Sequence, residues 1–305
     1  MSRRGITSLS GILLVDKPAG MTSHDVVAAV RRATGEGRVG HAGTLDPMAT
    51  GLLVVLVGPY ARLAPYLSGA EKSYEARIAF GTETDTDDAE GTATRSADTP
   101  AGLFDAAHAE GLIHASLGAS LQTPPAYSAI KVGGRVSHRA ARAGEELVLA
   151  DRPIEVFEAE LTAIDADART WDVRYRVSKG TYVRALARDL GRAARSAAHL
   201  SALRRTASGN LSLDAAHDLE EVAVAAREDR IAGLFADPIF ALGLPVADFA
   251  PREIAHGHSP ALPPDSVFTD GSRVAIRCEG AFAGVYSVRG DRLAPEVALL
   301  KADVR

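Results

Sequence analysis

Residues 40 to 51 read Gly-His-Ala-Gly-Thr-Leu-Asp-Pro-Met-Ala-Thr-Gly and carry the most informative pattern in the chain. They place one carboxylate, Asp46, in a loop whose glycines and proline favour a defined, non-repetitive backbone. Arginines precede this loop, and the apolar run 52–57 follows it. A fixed carboxylate beside cationic side chains that can meet phosphates is a candidate nucleophile toward a nucleic acid. The alternative is that Asp46 only caps the turn before Pro47.

The bulk composition describes an ordinary globular chain. Its 305 residues are 46% hydrophobic and 24% charged, which is enough for one large domain and a small one. A single cysteine, Cys278, excludes an internal disulfide and a cysteine-built metal site. No apolar stretch has the length of a membrane span, and the N-terminus lacks the hydrophobic core of a signal peptide. We therefore expect a cytoplasmic protein without membrane contact.

The charge is unevenly distributed along the chain. The net charge of −5 argues at first against a nucleic-acid partner. However, residues 83–110 hold eight acidic side chains and one arginine, whereas residues 184–205 hold six arginines and one aspartate. Screening confines each patch to a range of about 10 Å, so a basic face can bind phosphates despite an acidic patch elsewhere.

Periodicity predicts a fold in which helices and strands mix without a regular βαβ repeat, that is, an α+β fold with a mixed sheet. Strands are expected where apolar residues run together or alternate, and helices where capping residues precede a helical period. The expected strands are 11–15, 52–57, 74–80 and 171–177, and the expected helices run from Thr22 or Ser23 to Gly35 and from about 181 to 195.

Two further regions differ in composition from these predicted strands and helices. Residues 124–150 combine Lys131, Arg135 and Arg139 with several glycines, which is typical of a mobile basic loop. From about residue 245 prolines become frequent and short strands are expected at 274–278, 282–288 and 297–301. We therefore predict a catalytic domain at 1–244 and a small β-rich domain at 245–305.

The motif at 40–51 resembles the catalytic motif of bacterial tRNA pseudouridine-55 synthases of the TruB type. Six further segments resemble motifs of that family in the expected order, and an ordered series is far more specific than any one motif. The resemblance spans roughly residues 9 to 245. The six segments are Gly11–Ser23, Lys72–Tyr74, Gly81–Asp88, Pro124–Lys131, Ser178–Arg184 and Leu203–Arg205.

The resemblance implies a mixed, largely antiparallel central sheet with flanking helices, the pseudouridine synthase fold. It implies that the basic segment 124–150 clamps RNA and that residues 245–305 form a PUA-like RNA-binding module, although the match there is weak. It also implies an enzyme that isomerises uridine at position 55 in the T loop of tRNA. The expected partner is the T arm of tRNA, and a monomer without an obligate protein partner is expected.

The chemistry of this isomerisation suits a single carboxylate. The N1–C1′ bond breaks, the base rotates, and the base rejoins the sugar through C5. A glycosidase normally needs a second carboxylate to protonate its leaving group. Uracil leaves as a resonance-stabilised anion, so that acid is dispensable. Asp46 can act by attack at C1′ or by removal of the C2′ proton, and the sequence leaves both open. No cofactor or metal is called for.

The resemblance assigns substrate-binding roles to five further residues. Tyr74 and Tyr182 stack on the flipped uracil, and the Tyr74 hydroxyl helps to remove the C5 proton. Arg184 pairs with Asp46 and holds it ionised, because an adjacent cation lowers a carboxylate pKa. His41 enters the space of the flipped base or contacts a neighbouring nucleotide, and Leu203 lines the pocket.

Each of these roles has an alternative. Tyr74 could be a core aromatic, Arg184 a surface phosphate contact, and His41 a satisfied loop histidine. Two other functions stay open as well: a synthase of the same fold that acts on ribosomal RNA, and a non-catalytic RNA-binding or chaperone protein.

Overall fold

The computed structural model describes residues 7, 9–145, 147–254, 258–262 and 266–299. No helix within these ranges is both long and apolar enough to cross a membrane. The helices are α1 Ser23–Thr34, α2 Ala64–Ser68, α3 Ala106–His114, α4 Ser137–Arg142, α5 Val183–Ala193, α6 Leu219–Arg227, α7 Pro238–Leu242 and α8 Pro251–Ile254. The strands are β1 Gly11–Lys17, β2 Val39–Ala42, β3 Thr50–Val57, β4 Lys72–Phe80, β5 Thr82–Thr84, β6 Ala93–Ser96, β7 Gly118–Gln122, β8 Lys131–Val132, β9 Arg135–Val136, β10 Arg152–Asp165, β11 Thr170–Val177, β12 Ala198–Ser208, β13 Leu211–Ser212, β14 Phe235–Ala236, β15 Val246–Asp248, β16 Arg273–Cys278, β17 Ala281–Arg289 and β18 Arg292–Ala298.

One large mixed sheet dominates the described chain. Its strand order is β14-β1-β3-β12-β4-β11-β10-β7, with β2 beside β3 and β13 beside β12. The β3–β12 pair is parallel, and the neighbouring pairs β1–β3, β4–β12, β4–β11 and β10–β11 are antiparallel. The predicted mixed, largely antiparallel sheet is therefore confirmed.

The motif around Asp46 lies where the sheet changes partners. One edge of β3 pairs with β1 along the length of both strands. The other edge pairs first with β12, through Thr50 and Gly51, and then with β2, through residues 54–57. The loop 43–49 therefore connects β2 to β3 beside the end of this short parallel contact. The topology places the motif at an interruption in the sheet, where side chains from several strands can converge.

Helix α1 begins and ends as its sequence predicts. Thr22 is the N-cap, and its side chain and that of Asp25 form a reciprocal capping box. Gly35 ends the helix with φ 69°, a left-handed conformation that glycine adopts without a Cβ penalty. The start of α1 lies next to the loop that carries Asp46, because the Ser23 hydroxyl hydrogen-bonds with the backbone of Leu45.

The two faces of the sheet have different coverings. The predicted alternation is confirmed in β11, where Trp171, Val173, Tyr175 and Val177 are buried on the face that packs against α1, α5 and α6. The opposite face of β1 and β3 buries residues such as Leu52 and Val54, and the C-terminal strands contribute Val285 and Val297 to that cluster.

A second, four-stranded sheet follows in the order β15-β16-β17-β18. It confirms the predicted β-rich C-terminal region and its first two strands. The third prediction, 297–301, was wrong: β18 covers Arg292–Ala298 and contains Pro295. Proline is tolerated there because β18 is an edge strand and the β17–β18 register shifts beside Pro295. Residues 300–305 lie outside the described residues.

The C-terminal sheet is attached to the large sheet through residues 58–68. The Tyr66 hydroxyl donates a hydrogen bond to Glu296 at 2.8 Å, and the rings of Tyr60 and Phe282 have their centroids 5.9 Å apart. Arg62 also donates to the carbonyl oxygen of Ala298. The first strand of the C-terminal sheet begins at Val246, and the domain boundary between residues 244 and 245 stays a prediction.

The basic segment 124–150 is not a simple loop. It contains a small hairpin, β8–β9, followed by helix α4, and it buries Ala140 and Leu149. Residue 146 and the side chains of residues 136, 138 and 142 lie outside the described part. The RNA-clamping role of this segment stays a prediction.

Candidate active site

The loop that carries Asp46 requires glycine at both ends. Gly43 and Gly51 have φ angles of 93° and 96°. A Cβ atom at Gly51 would lie 2.3 Å from the carbonyl oxygen of Arg205, because β3 and β12 approach each other closely there. The glycines of the motif therefore serve the backbone geometry of the loop.

Three buried polar side chains hold this loop in place. The Ser23 hydroxyl donates to the carbonyl oxygen of Leu45 at 3.0 Å and accepts from its amide at 2.8 Å. Arg205, 1% exposed, donates to the carbonyl oxygens of Leu52 at 2.7 Å and Gly43 at 3.0 Å. These bonds fix the loop from both sides of Asp46.

Lys17 supplies the third anchor. Its ammonium group donates to the carbonyl oxygens of Met21 at 2.7 Å, Pro18 at 2.9 Å and Pro47 at 3.1 Å. Burial lowers the pKa of Lys17 from 10.5, opposed by the carboxylate of Asp46. Lys17 therefore joins the turn before α1 to the residue that follows Asp46. Lys17, Ser23 and Arg205 lie in the family-like motifs, but none was predicted to hold this loop, and Ser23 was only a candidate N-cap of α1.

Arg184 is in direct contact with Asp46. Its Nε lies 2.9 Å from Oδ2 of Asp46, and its Nη2 donates to Oδ1 at 3.2 Å. The same guanidinium donates to the carbonyl oxygens of Thr86 at 2.7 Å and Tyr127 at 3.0 Å, and it lies 3.4 Å from Asp88. Arg184 is only 5% exposed, and its guanidinium group faces protein groups. This environment differs from that of a surface arginine that contacts phosphate.

The pKa of Asp46 departs from the sequence-based expectation. Burial raises it above its ordinary value of 3.8, and the Arg184 guanidinium opposes this effect without reversing it. The nearby Asp88 carboxylate adds to the increase. The expected influence of Arg184 is present, but desolvation of the carboxylate exceeds it. The Asp46 side chain is still 35% exposed, so the carboxylate is accessible to a substrate, and its raised pKa makes it more basic than a free aspartate.

Tyr182 lies immediately before α5, at its N-cap position. Its backbone is held by Gln122, which accepts from the Tyr182 amide at 2.9 Å and donates to its carbonyl oxygen at 3.1 Å. Burial raises the pKa of the Tyr182 phenol, and hydrogen bonding with Ser128 opposes this. Both Arg184 and Asp46 act electrostatically on the phenol, which places Tyr182 beside their ion pair.

Tyr74 and Leu203 lie on neighbouring strands and on one face of the sheet. Tyr74 stands two residues before Ala76 in β4, and Leu203 of β12 is directly opposite Ala76. Residues directly opposite each other share a face. Each is 8% exposed, so each has only a small accessible surface on this face.

His41 lies in β2, next to α1. Its ring meets that of His24 edge to face, with centroids 5.6 Å apart. Burial lowers the pKa of His41, and His24 and Arg205 add to the decrease. The buried Nδ1 atom has no hydrogen-bond partner among the described residues. The lowered pKa favours the neutral form of the His41 imidazole.

A cleft of about 590 Å³ lies beside the motif. Met48 and Thr50 of the motif line it together with Ala76 and Leu203, and charged side chains including Glu75 border it. Its volume is in the range of small-molecule sites and is sufficient for a nucleoside. Of the six predicted site residues, one lines this cleft, Leu203. The five that do not line it are Asp46, His41, Tyr74, Tyr182 and Arg184.

Comparison with known proteins identifies the family. Residues 31–183 match the sequence model described as "TruB family pseudouridylate synthase (N terminal domain)". The chain belongs to the TruB family of pseudouridylate synthases. It is accordingly an isomerase. Residues 184–235 match "tRNA pseudouridylate synthase B C-terminal domain". The two matches meet at the start of α5, and both contribute strands to the large sheet, so they describe one structural body.

Several TruB-family relatives are similar over much of their length, and each is named "tRNA pseudouridine synthase B". The protein of Thermobifida fusca (strain YX) is 46% identical, over 81% of this chain and 85% of its own. That of Corynebacterium aurimucosum is 42% identical, over 93% and 94%. That of Paenarthrobacter aurescens (strain TC1) is 50% identical over 70% of each chain.

Solved structures agree on the fold. A chain of a Cbf5–Nop10–Gar1 complex superposes with a TM-score of 0.74 at 24% identity, covering 96% of this chain and 86% of that one. A chain of the archaeal box H/ACA sRNP Nop10–Cbf5 complex gives 0.72 at 22% identity, with 96% and 87% covered. This likeness extends over the C-terminal sheet as well as the large sheet.

Proposed function

We propose that this TruB-family enzyme isomerises uridine to pseudouridine in tRNA, at position 55 of the T loop, with Asp46 as the catalytic carboxylate. The observation that carries the proposal is the Asp46–Arg184 ion pair, with contacts of 2.9 and 3.2 Å, on a loop fixed by buried polar groups. The names of the relatives support tRNA as the substrate. The proposal places the enzyme in the cytoplasm with its substrate, and it includes the monomer that the family resemblance implies.

In the proposed mechanism the T loop presents an extruded uridine, and the protein reads the RNA by shape and by its flipped bases. Asp46 acts at the sugar, by attack at C1′ or by removal of the C2′ proton, and uracil leaves as an anion. The base rotates and C5 bonds to C1′, as Asp46 either leaves C1′ or returns the proton to C2′. The C5 proton is then lost, with help from the Tyr74 hydroxyl, and N1 gains a proton, so the reaction consumes no water.

The other residues exclude water and hold the base and the carboxylate. Tyr182 and Tyr74 offer ring faces to the uracil, and Leu203 packs beneath it. Stacking offsets part of the cost of unstacking the base, which is on the order of a few kcal/mol. His41, with its open Nδ1, contacts the RNA next to the target nucleotide. Arg184 orients Asp46 toward the sugar, since its Nη2 donates to Oδ1 and its Nε lies beside Oδ2.

A panel of RNAs tests the proposed substrate. We expect pseudouridine at position 55 in a T-arm hairpin and in full-length tRNA, mapped by chemical derivatisation and primer extension. Ribosomal RNA fragments serve as the comparison. Modification of ribosomal RNA but not of the hairpin would support the alternative synthase. Binding without any product would support a non-catalytic RNA-binding protein.

The raised pKa of Asp46 predicts that activity decreases at low pH, which gives the pH profile of activity an acid limb. Only the ionised carboxylate can act, so kcat/KM should fall as the pH decreases through the pKa of Asp46, which burial places above 3.8. Activity should stay level on the alkaline side of that pKa. Steady-state kinetics on a T-arm hairpin measure the profile.

A control separates this limb from that of another carboxylate. Burial raises the pKa of Asp87 to about 6, so its protonation also occurs on the acid side of neutrality. The normalised profile of Asp87→Asn should keep the acid limb. Loss of the limb in this variant would assign it to Asp87 and remove the argument for a titrating Asp46.

The proposed domain boundary predicts the behaviour of a shortened chain. The residues proposed for chemistry all precede residue 245, so a chain ending at Gly243 should still modify an isolated T-arm hairpin. It should lose affinity mainly for full-length tRNA, because a PUA-like module would contact phosphates away from the T loop. Comparing kcat and Kd of both chains on both RNAs measures this.

The contacts across the boundary add a second expectation. Removing the C-terminal sheet exposes Tyr60, Tyr66 and the apolar face beside Leu56, so the thermal midpoint should fall even if activity persists. Equal losses of activity on hairpin and tRNA would mean that the catalytic body needs residues 245–305 to fold.

A further inference from the structure

Helix α5 presents three arginines, one turn apart, to the acidic segment 83–88. Arg184 contacts Asp88 at 3.4 Å, Arg188 contacts Asp87 at 2.8 Å, and Arg192 contacts Glu83 at 2.7 Å. The first arginine belongs to the site already described, and the third has a side chain that is 55% exposed. The middle pair is different, because its side chains are only 10% and 9% exposed and neither touches Asp46.

Arg188 joins three parts of the chain. Beyond Asp87, its Nη2 donates to the carbonyl oxygen of Thr123 at 2.9 Å, and its Nε donates to Asp189 at 2.9 Å. Arg184 reaches the same stretch, through the carbonyl oxygen of Tyr127. Both arginines therefore attach the beginning of the basic segment 124–150 to helix α5.

Asp87 stands between the two residues that hold Arg184. Thr86 accepts from Arg184 through its carbonyl oxygen, and Asp88 faces the same guanidinium. The backbone of Asp87 also accepts from the Leu200 amide at 3.0 Å, which attaches the turn to β12. A displacement of Asp87 would move both partners of Arg184 together.

Stability alone is a poor explanation for this pair. Asp87 adopts a left-handed backbone with φ 60°, a conformation in which aspartate and asparagine are enriched over other residues with a Cβ. Burying two charges costs solvation free energy, and their mutual attraction offsets this cost only when the geometry is good. Replacing a buried ion pair by apolar residues is therefore often neutral or stabilising. The pair is therefore better explained by the positions in which it holds the neighbouring segments of the chain.

We infer that Arg188 and Asp87 are positioning residues: together they set the basic segment and the Asp88 turn relative to Arg184, and so align bound RNA with Asp46. This inference rests on the proposed function, in which Asp46 reacts and segment 124–150 contacts RNA. The described contacts of Arg188 and Asp87 do not include Asp46. Its loss should leave RNA bound but misplaced relative to the carboxylate.

The test compares Arg188→Met with the double variant Arg188→Met/Asp87→Asn. Asparagine tolerates the left-handed backbone at residue 87, and the double variant leaves no buried charge unpaired. We expect kcat on a T-arm hairpin to fall about 10- to 100-fold in both, as for a displacement of about 1 Å at the reacting atoms. KM and Kd should stay within about threefold, since binding contacts persist.

Thermal midpoints separate positioning from stability. The double variant should recover stability relative to Arg188→Met but keep its low kcat. If kcat recovers together with stability, or if Arg188→Met has wild-type kcat, the pair serves the fold alone and the inference is wrong. Should Arg188→Met fail to fold, the double variant decides by itself: low kcat supports the inference and wild-type kcat overturns it.

Two further variants complete the experiment. Arg192→Met, in which the exposed neighbouring arginine is removed, should have kcat within about twofold of wild type, because the buried carboxylate of Glu83 keeps its second partner, Arg95. Asp46→Asn tests the proposed function separately. An inactive Asp46→Asn beside a fully active Arg188→Met would overturn only the inference, whereas an active Asp46→Asn would overturn the proposed function.

Discussion

The Asp46→Asn enzyme should bind a T-arm hairpin as tightly as wild type and form no detectable pseudouridine. Asparagine keeps the shape of the side chain and removes the charge needed at C1′ or C2′. Loss of a reacting group in an enzyme commonly lowers kcat by about 10⁴-fold or more. Single-turnover kinetics with excess enzyme measure the loss independently of product release. Turnover within about tenfold of wild type would remove Asp46 from the mechanism.

A stability measurement and a matched control accompany this variant. Burial raises the pKa of folded Asp46, so the ionised carboxylate lowers stability above that pKa, and this cost disappears as the pH falls. Asp46→Asn should therefore be no less stable than wild type at neutral pH. Asp248→Asn removes a carboxylate that is also held by an arginine fork, with Arg277 at 2.6 and 2.8 Å. It should retain full activity on the hairpin.

Arg184→Lys should lower kcat on the order of 100-fold while the fold persists, a loss typical of a reacting group misplaced by about 1 Å. Lysine keeps a cation but cannot contact both oxygens of Asp46 and also reach the carbonyl oxygens of Thr86 and Tyr127. The weaker pairing should also raise the pKa of Asp46 further, because Arg184 is the main influence that opposes burial. The acid limb of kcat/KM should therefore move to higher pH.

The control for this substitution is Arg277→Lys, in which the arginine of the surface pair with Asp248 is replaced. It should have wild-type kinetics and an unshifted acid limb, since an exposed ion pair contributes little. Wild-type kinetics in Arg184→Lys would mean that the fork does not orient Asp46. A lower kcat without a shift of the limb would mean that Arg184 acts on the RNA instead.

Local patterns allowed much of the fold to be predicted. The Thr22 and Gly35 caps of α1 and the alternation in β11 are decided by neighbouring residues, so sequence was sufficient for them. The edge strand β18 was misplaced because tolerance of Pro295 depends on which strands flank it. The hairpin within 124–150 was missed because its strands have two residues each, too few to show a period.

The site was partly predictable for a similar reason. Ordered motifs indicated Asp46 and Arg184, and the structure brings them into contact. The anchors Lys17 and Arg205 were assigned no role, because a basic side chain is expected to be exposed to solvent unless its hydrogen-bond partners are known. Here those partners are backbone carbonyl oxygens. The direction of the Asp46 pKa shift also needed the structure, since it depends on how burial compares with the effect of Arg184.

The most direct test of the account is tritium release from a T-arm hairpin labelled at C5 of the uridine at position 55. Isomerisation through C5 must release that hydrogen, whereas binding or hydrolysis of the N1–C1′ bond does not. We predict that the wild-type enzyme releases the label completely, without free uracil, and that Asp46→Asn releases none. Retention of the label by the wild-type enzyme, or equal release by Asp46→Asn, would contradict the proposed isomerisation by Asp46.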